Sequence, residues 1–422
     1  MKPHSMCMTP RLTIACLTLF SALTCTGQYT MPPEEAEHEG TWLQWPHDYT
    51  YGAGADALEP SWVAMTAALA TGERVHIVAY NEAERTHIET VLGSEGVDLD
   101  QVDFLVCPND DFWVRDNGPI FVEDLNGDWV ILDWGFNGWG GDAPYTLDDA
   151  VPGCVGTGIG MPVIDLGDMV LEGGAVELDG HGTLMATRSS VTAPDRNPDL
   201  TEAEIESYLS QYLGVDQFIW LDGQFGGTED ITDMHIDAFV KFVGGHTMVT
   251  MSDEDLEYWY VGATDRAIVA DAADADGVPY SRVNLPLTQM PVVTSDGTSI
   301  GYRASYVNFY VANEVVLVPH YNDPMDTVAM DIIQDLHPAR TVVGIPCQDM
   351  LQWGGMVHCV TQQQPAGAPF VTSVGCADWP ETSADARYFD LLGREVFFPK
   401  AHQLLIRLGP DASRHLWFTP AD

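Results

Sequence analysis

The sequence predicts a mixed α/β protein. Apolar runs of strand length recur along the chain, and amphipathic helical patterns lie between them, an alternation typical of α/β folds. With 45% hydrophobic and 10% aromatic residues, the 422-residue chain can build a sizeable core. No Pro/Ser/Gly linker or low-complexity stretch separates two halves, so we expect a single domain over residues 28–422.

The strands are predicted from short runs rich in valine and isoleucine. Val75–Ala79 reads Val-His-Ile-Val-Ala, and Val315–Val318 reads Val-Val-Leu-Val. Side chains branched at Cβ pack well in a pleated sheet, so both runs are expected to be buried strands.

The clearest helix is predicted over residues 201–213. Thr201 and Glu204 have the spacing of a capping box, and Gly214 follows where a helix commonly ends. Between these signals the apolar residues recur with helical spacing. They are Ile205, Tyr208, Leu209, Tyr212 and Leu213. By contrast, Gly153–Gly160 is expected to be a glycine-rich loop, because its spacing does not fit the dinucleotide fingerprint and Pro162 follows it.

Residues 1–27 resemble a leader for export. Two basic residues precede the apolar run from Leu12 to Thr24, which is too short to span a bilayer and suits a secretory signal. Cys25 is a candidate for lipid anchoring, although the small residue expected before a lipidated cysteine is missing. We therefore expect an exported protein, periplasmic or extracellular. A mis-called start upstream of Met31 would instead make the protein cytoplasmic.

The charge is strongly negative: 63 acidic and 17 basic residues give a formal net charge of −46. Such a surface repels itself at ordinary ionic strength, whereas concentrated salt screens it. We expect a halophilic source or a salty compartment; steering of cationic substrates is the alternative. The chain has no basic stripe, so nucleic acid is not expected as a partner, and no integral membrane segment follows the leader.

The strongest candidate for chemistry is the segment Gly354–Pro365. It places Cys359 behind a Gly-Gly pair, beside His358 and before a run of glutamines. Loops that expose backbone N–H groups favour the reactive thiolate, although a quiet loop cysteine is also compatible with the pattern. The other cysteines after the leader, at 107, 154, 347 and 376, have no regular spacing. We expect most of the thiols to be free.

Three further segments supply carboxylates and a histidine. They are Asp110–Pro119, Leu171–Gly174 and Thr232–Asp237. Acidic residues beside a Gly-Pro turn are also ordinary turn formers. If His235 and Asp237 lie in a strand, they share one face, as a metal half-site, a structural pair, or a base beside a binding carboxylate. Zinc is disfavoured because no Cys-x-x-Cys pair or His-Glu-x-x-His helix occurs.

Together and in this order, these segments resemble the agmatine deiminase and bacterial (Porphyromonas-type) peptidyl-arginine deiminase family, of the guanidine-modifying superfamily. The resemblance covers nearly the whole chain after the leader. Further matching segments are Met31–Glu35, Gly40–Pro46, Trp134–Gly141, Asp195–Pro198, Ala304–Tyr310 and Val342–Ile345. The resemblance implies one deiminase catalytic domain with the pentein fold, a five-bladed pseudo-symmetric α/β propeller whose site lies in the central channel.

The resemblance also implies a role for each site residue, with no metal and no cofactor. Asp116 and Asp237 would bind the guanidinium, since carboxylates pair with it through parallel hydrogen bonds. Cys359 would attack the guanidinium carbon to form a thiouronium intermediate. His235 would protonate the departing amine and then activate water, and Glu172 would orient the imidazole.

Trp113 and Asn308 complete the predicted site. Aromatic faces attract planar cations, so Trp113 is expected to wall the guanidinium. Asn308 belongs to one of the matching segments and is expected near the site. Oligomeric state is left open by the sequence.

The implied reaction is conversion of agmatine to N-carbamoylputrescine and ammonia, a step of putrescine biosynthesis. The agmatine-type pattern has Gly before the histidine and Asn after His-x-Asp, where this chain has Met234 and Ala238. A secreted peptidyl-arginine deiminase, converting protein arginine to citrulline, is therefore the first alternative. A secreted, inactive binding protein of the same fold is the second alternative. The presence of all five residues with an implied chemical role argues against it; they are Asp116, Glu172, His235, Asp237 and Cys359.

Overall fold

The computed structural model of the protein describes residues 27–368, except 225–229 and 245, together with four strands between residues 387 and 418. The leader prediction for residues 1–27, Cys25 and Cys376 lie outside the described residues, apart from Gly27. By contacts the chain divides into two compact units, Met1–Phe370 and Val371–Asp422. The prediction of one domain over residues 28–422 did not include this division.

The described part of the first unit contains seventeen strands and twelve α-helices, several of them a single turn long. The strands are β1 Tyr29–Thr30, β2 His38–Gln44, β3 Arg74–Ala79, β4 Val102–Val106, β5 Ile120–Asp124, β6 Trp129–Gly135, β7 Val163–Val170, β8 Val176–Leu178, β9 Thr183–Thr187, β10 Gln217–Leu221, β11 Lys241–Val243, β12 Thr247–Met251, β13 Ser281–Leu285, β14 Tyr310–Val311, β15 Val315–His320, β16 Thr341–Pro346 and β17 Gln362–Pro365. The helices are α1 Asp48–Tyr51, α2 Ala55–Leu69, α3 Glu82–Ser94, α4 Val114–Asn117, α5 Gly138–Gly141, α6 Val151–Ile159, α7 Arg188–Val191, α8 Glu202–Leu213, α9 Asp253–Tyr258, α10 Ala263–Ala270, α11 Met325–Leu336 and α12 Gln348–Leu351.

Across residues 27–368, as far as they are described, these strands form five sheets with a shared connection pattern. In each sheet a short strand pairs antiparallel with the next, and that strand pairs parallel with a third after a helical crossover. The sheet orders are β1-β5-β6-β7, β10-β9-β8, β11-β12-β13, β14-β15-β16 and β17-β2-β3-β4. Parallel pairing requires such a crossover, so the predicted mixed α/β class is confirmed.

The fifth sheet joins the two ends of this unit. Strand β17 pairs antiparallel with β2, so that Gln362 lies opposite Trp42. The Trp42 indole N–H also donates to Gln364 Oε1 at 2.8 Å. Because β17 directly follows the cysteine segment, this pairing holds the end of that segment against the start of the unit.

The predicted helix and strands are found. Helix α8 spans Glu202–Leu213, Thr201 and Glu204 form both bonds of the capping box, and Gly214 ends the helix in the left-handed conformation. The strands predicted at residues 75–79 and 315–318 lie within β3 and β15. The helix and both strands are confirmed. In each of them the local preference of the residues, for a helix cap or for a strand, agrees with the burial that the fold imposes.

The expected loop at Gly153–Gly160 is wrong: most of it lies in α6. Val151, Val155 and Ile159 repeat every four residues and are buried, so packing outweighs the weak helix preference of glycine. Gly156 packs directly against Val163, where a side chain would clash. Pro152 stands in the first turn, where it is tolerated, and Gly160 ends the helix with φ +70°.

The expectation of mostly free thiols holds for only half of the described cysteines. Cys107 and Cys154 form a disulfide across 47 residues, whereas Cys347 and Cys359 are free. The pairing joins the residue after β4 to α6, which no spacing in the sequence indicated. Among the described residues, none of the helices has the length and apolar character needed to cross a bilayer.

The second unit contains an antiparallel sheet of four strands. Its strands are β18 Arg387–Phe389, β19 Glu395–Val396, β20 Leu404–Leu408 and β21 Arg414–Phe418, in the order β19-β18-β20-β21.

Candidate active site

The predicted nucleophile lies on a tight turn that follows two glycines. His358–Val360 form one 3-10 turn, and Cys359 within it is a free, partly buried thiol. Gly354 has φ +100°, a conformation that favours glycine. A side chain at Gly355 would collide with the ring of Trp113. The Gly-Gly pair is thus required by the turn and by the close approach of the tryptophan.

Asp116 lies on the short helix α4, directly after Trp113. One carboxylate oxygen accepts from the Trp139 indole N–H at 3.0 Å, and the other accepts from the Gly174 N–H at 3.1 Å. Burial raises the pKa of Asp116 to about 6, and the nearby carboxylates Asp237 and Glu172 add to the rise against the opposing effect of His235. At neutral pH most of Asp116 is therefore still ionised, and a cation bound beside it would lower its pKa.

His235 and Glu172 form a buried hydrogen-bonded pair. The imidazole Nε2 lies 2.8 Å from Glu172 Oε2, and Nδ1 lies 3.6 Å from Asp116 Oδ1. Burial alone would lower the pKa of His235, but Asp116 and the hydrogen bond to Glu172 outweigh burial and raise the pKa to about 9. His235 is therefore protonated at neutral pH, as a general acid must be.

The expected strand at His235–Asp237 is wrong. The segment Ile236–Ala238 is a 3-10 turn that His235 precedes. Before it, Asp233 and Met234 both adopt the left-handed region, with φ +53° and +77°. Two such residues in succession reverse the chain, and the turn directs the two functional side chains to one place without the alternation of a strand.

Arg196 holds this turn to the acid–base pair. Its Nε donates to Glu172 Oε1 at 2.8 Å, and Nη1 donates to Asp233 Oδ2 at 2.8 Å. The Arg196 and Glu172 side chains are both completely buried. Glu172 therefore receives one hydrogen bond from Arg196 and one from His235, which orients both oxygens.

Asp237, Asn308 and Cys359 meet on the other side of the site. Asn308 Nδ2 lies 3.4 Å from the Cys359 sulfur, which in turn lies 3.8 Å from Asp237 Oδ2. Burial, Asp237 and Asp116 raise the pKa of the Cys359 thiol well above its usual value. Burial would also raise the pKa of Asp237, but the hydrogen bond from His358 lowers it below the ordinary value.

Gly174 marks the point on which these groups converge. A methyl group built on it would lie 2.7 Å from Asp116 Oδ1, 2.8 Å from His235 Nδ1 and 3.1 Å from Asp237 Oδ2. A larger residue would clash with these groups, so the site requires glycine here. Two carboxylates and an imidazolium therefore lie close to one another around the Gly174 Cα.

The structure brings six of the seven predicted residues into one set of contacts. They are Asp116, Glu172, His235, Asp237, Asn308 and Cys359. Trp113 packs at the edge of the set, against Gly355. The individual catalytic roles stay predictions.

Sequence reasoning missed four residues that hold this set in place. They are Arg196, Trp139, Glu34 and His358. Each lies within a segment that carried the family resemblance, so its position was visible but its contact was not. Among the described residues, no group of three or more His, Cys, Asp or Glu side chains is arranged to hold a metal ion.

Comparison with known proteins places this geometry in a family. The sequence profile of the Porphyromonas-type peptidyl-arginine deiminase family matches residues 30–365. An agmatine deiminase of Pseudomonas syringae pv. tomato is 33% identical over 374 residues, 83% of this chain and 99% of the relative. An agmatine deiminase of Pseudomonas fluorescens is 32% identical over 373 residues, 83% of this chain and 98% of the relative.

Solved structures agree with the sequence comparison. The structure of the agmatine deiminase of Enterococcus faecalis superposes with a TM-score of 0.69 and 28% sequence identity, over 80% of this chain and 96% of that one. A match across most of the chain, which includes every residue of the site, makes this protein a member of the agmatine deiminase and Porphyromonas-type peptidyl-arginine deiminase family.

Proposed function

We propose that the protein is a hydrolase that deiminates a guanidinium group through a cysteine thiouronium intermediate, with agmatine as its substrate. The observation that carries this proposal is the convergence of Asp116, Asp237 and His235 around Gly174, with the Cys359 sulfur 3.8 Å from Asp237 Oδ2. A planar cation bound between the two carboxylates can pair with both while its carbon faces the sulfur. The agmatine deiminases among its relatives supply the choice of substrate.

The substrate itself would activate the nucleophile. Asp237 and Asp116 help to hold the pKa of Cys359 well above its usual value. A bound guanidinium neutralises both carboxylates and so removes this part of the shift, and the thiol then releases its proton to solvent. In the free enzyme the thiol stays protonated and unreactive, and the thiolate forms only when the guanidinium is bound.

The remaining steps follow from the orientation of His235. The Cys359 sulfur attacks the guanidinium carbon, and the C=N electron pair moves onto nitrogen. His235 Nδ1–H, which lies 3.6 Å from Asp116 Oδ1, donates its proton to the leaving nitrogen, so that the C–N bond breaks and ammonia departs. Water then gives a proton to His235 and attacks the thiouronium carbon. Cleavage of the C–S bond releases the ureido product and the cysteine.

A peptidyl-arginine deiminase is the second candidate. Met234 occupies a position with φ +77°, where the agmatine-type pattern has glycine, so the channel beside His235 differs from that pattern. The Cys107–Cys154 disulfide also fits an oxidising compartment outside the cytoplasm. On the same ground we propose that the protein is exported, and that its charge of −46 adapts it to concentrated salt.

We further propose that the five sheets are blades of a pseudo-symmetric propeller around the site. Their shared connection pattern and the pairing of β17 with β2 support this arrangement.

One experiment separates these functions. The full-length protein is incubated in concentrated salt with agmatine, free arginine or an arginyl peptide, and ureido product and ammonia are measured. We expect the highest kcat/KM with agmatine, and none with Cys359→Ser. Greater activity on the peptide would favour the second candidate. No product from any of the three would leave the inactive binding protein as the better description.

A further inference from the structure

We propose that His358, supported by Glu34, is a positioning residue that holds Asp237 as an ionised, oriented carboxylate for the guanidinium. The inference rests on the proposed function and deepens it, because it explains how two carboxylates of one site differ. His358 precedes the nucleophile directly in the chain, and its ring contacts Asp237 Oδ2, the oxygen that lies 3.8 Å from the sulfur.

The geometry of His358 requires a charged imidazole. Its Nδ1 lies 2.8 Å from Asp237 Oδ2, and its Nε2 lies 2.7 Å from Glu34 Oε2. The side chain is only 3% exposed. Two carboxylate oxygens can only accept, so both ring nitrogens must donate, and the ring carries a proton on each. The imidazolium therefore bridges the two acids.

The backbone of His358 is held as firmly as its ring. The His358 N–H donates to Asn308 Oδ1 at 2.9 Å, and its carbonyl accepts from Arg115 Nε at 3.3 Å. Both bonds lie on the 3-10 turn that also carries Cys359. The bridge to Asp237 and the position of the sulfur therefore depend on the same turn.

Glu34 is a buried anion that keeps the bridge charged. Its Oε1 accepts from Lys241 Nζ and from the Val311 N–H, both at 2.9 Å, and Arg115 Nη2 lies 3.7 Å from Oε2. Burial would raise the pKa of Glu34, but Lys241, His358 and Arg115 lower it well below the usual range. Glu34 is therefore ionised where it meets His358 Nε2, and the hydrogen bond from His358 Nδ1 stabilises the charge on Asp237.

The two guanidinium carboxylates consequently have different environments. The charged and titratable groups around Asp237 are His358, His235, Arg115, Asp116 and Cys359. Asp116 also faces an imidazolium, that of His235, but at 3.6 Å, beyond hydrogen-bonding distance; its hydrogen bonds come from the Trp139 indole and the Gly174 N–H. Its pKa is raised to about 6, while that of Asp237 is lowered. Asp237 therefore stays ionised to lower pH than Asp116.

The test replaces His358 by each of two amides, and each amide keeps a donor toward only one of the two acids, Asp237 or Glu34. The asparagine nitrogen in His358→Asn falls near Nδ1 and can still donate to Asp237, whereas the glutamine nitrogen in His358→Gln falls near Nε2 and reaches only Glu34. Loss of one donor from a buried charge pair predicts a fall in kcat/KM of about 30-fold or more for His358→Gln at pH 7, mostly through KM. His358→Asn is expected to retain at least about three times more kcat/KM than His358→Gln, because it keeps one neutral bond to Asp237.

The pH profile provides the readout that a purely structural role would not move. In the wild type one carboxylate, Asp116, should define the acid limb of kcat/KM, with a slope of one proton. In His358→Gln the pKa of Asp237 should rise, so the limb moves to higher pH and steepens toward two protons. Glu34→Gln should shift the limb in the same direction by less. His337→Gln is the matched control, because His337 is also buried and lies 3.6 Å from a glutamate, Glu35, but has no contact with Asp237.

The outcomes are separable. A wild-type protein that releases no ureido product contradicts the proposed function itself. An active wild type whose His358→Gln and Glu34→Gln variants keep the wild-type acid limb, at whatever kcat, overturns the positioning role. Equal profiles for the Asn and Gln variants would also overturn it, because the bridge predicts that they differ.

Discussion

The buried pair Arg196–Glu172 yields the most demanding prediction about stability. Arg196→Met removes a guanidinium that donates to Glu172 and Asp233, both at 2.8 Å, and to the Ile231 carbonyl at 3.3 Å. Methionine fills much of the volume but leaves the Glu172 carboxylate buried with His235 as its remaining partner. The expected result is a large loss of stability together with a loss of turnover, because the same carboxylate orients His235.

The magnitude follows from complete burial. Removing one partner of a buried ion pair costs about 3–5 kcal/mol, and the surviving bond to His235 places our expectation near the lower end, about 3 kcal/mol. The control is Arg188→Met. Arg188 pairs with Glu202 at 2.7 Å, but its side chain is 30% exposed, so about 1 kcal/mol or less is expected.

The assay is urea unfolding of a double-mutant cycle in concentrated salt. Glu172→Gln removes the charge that Arg196 neutralises, so the double variant should be more stable than the sum of the single effects predicts, by at least about 1.5 kcal/mol. Additivity within about 0.5 kcal/mol, or an Arg196→Met variant no less stable than Arg188→Met, would refute the claim that Arg196 acts by neutralising Glu172.

Four further predictions concern the site and the charge of the protein. Cys359→Ser should abolish turnover while the melting temperature is kept, because serine lacks a strong base of its own; activity within about tenfold of wild type would exclude Cys359 as the nucleophile. Gly174→Ala should lower kcat/KM at least about 10²-fold by crowding Asp116 and His235. The control Gly93→Ala should not, because the added methyl group would lie 3.8 Å from its nearest neighbour. An active Gly174→Ala enzyme would contradict the placement of the substrate. The kcat/KM profile should rise with pH through about 6 as Asp116 ionises and fall through about 9 as His235 loses its proton, and a profile still rising above pH 9 would show that a protonated His235 is not needed. The melting temperature should increase with added NaCl or KCl because of repulsion among 63 acidic side chains, and independence from salt would remove the halophilic interpretation.

The reactive residues could be predicted from the sequence because their local signals agree with the fold. The Gly-Gly pair before Cys359 is an example. Gly354 adopts φ +100°, and Gly355 packs so closely against Trp113 that no side chain fits there. Likewise, helix α8 begins and ends where its capping box and Gly214 indicate. Such local preferences act within a few residues of chain, so they can be read without knowing what packs against them.

Contacts between distant segments were decided by the tertiary structure alone. Glu34 and His358 are 324 residues apart, and the disulfide joins Cys107 to Cys154 with no spacing that indicates it. Gly153–Gly160 is helical because Val151, Val155 and Ile159 are buried, which the glycine content concealed. The charge state of each acid is decided in the same way, since Asp116 and Asp237 are the same type of residue, yet His358 lies 2.8 Å from Asp237 whereas His235 lies 3.6 Å from Asp116. The sequence therefore indicated which groups could carry the chemistry, and the packing of distant segments decided their contacts and the direction in which their pKa values shift.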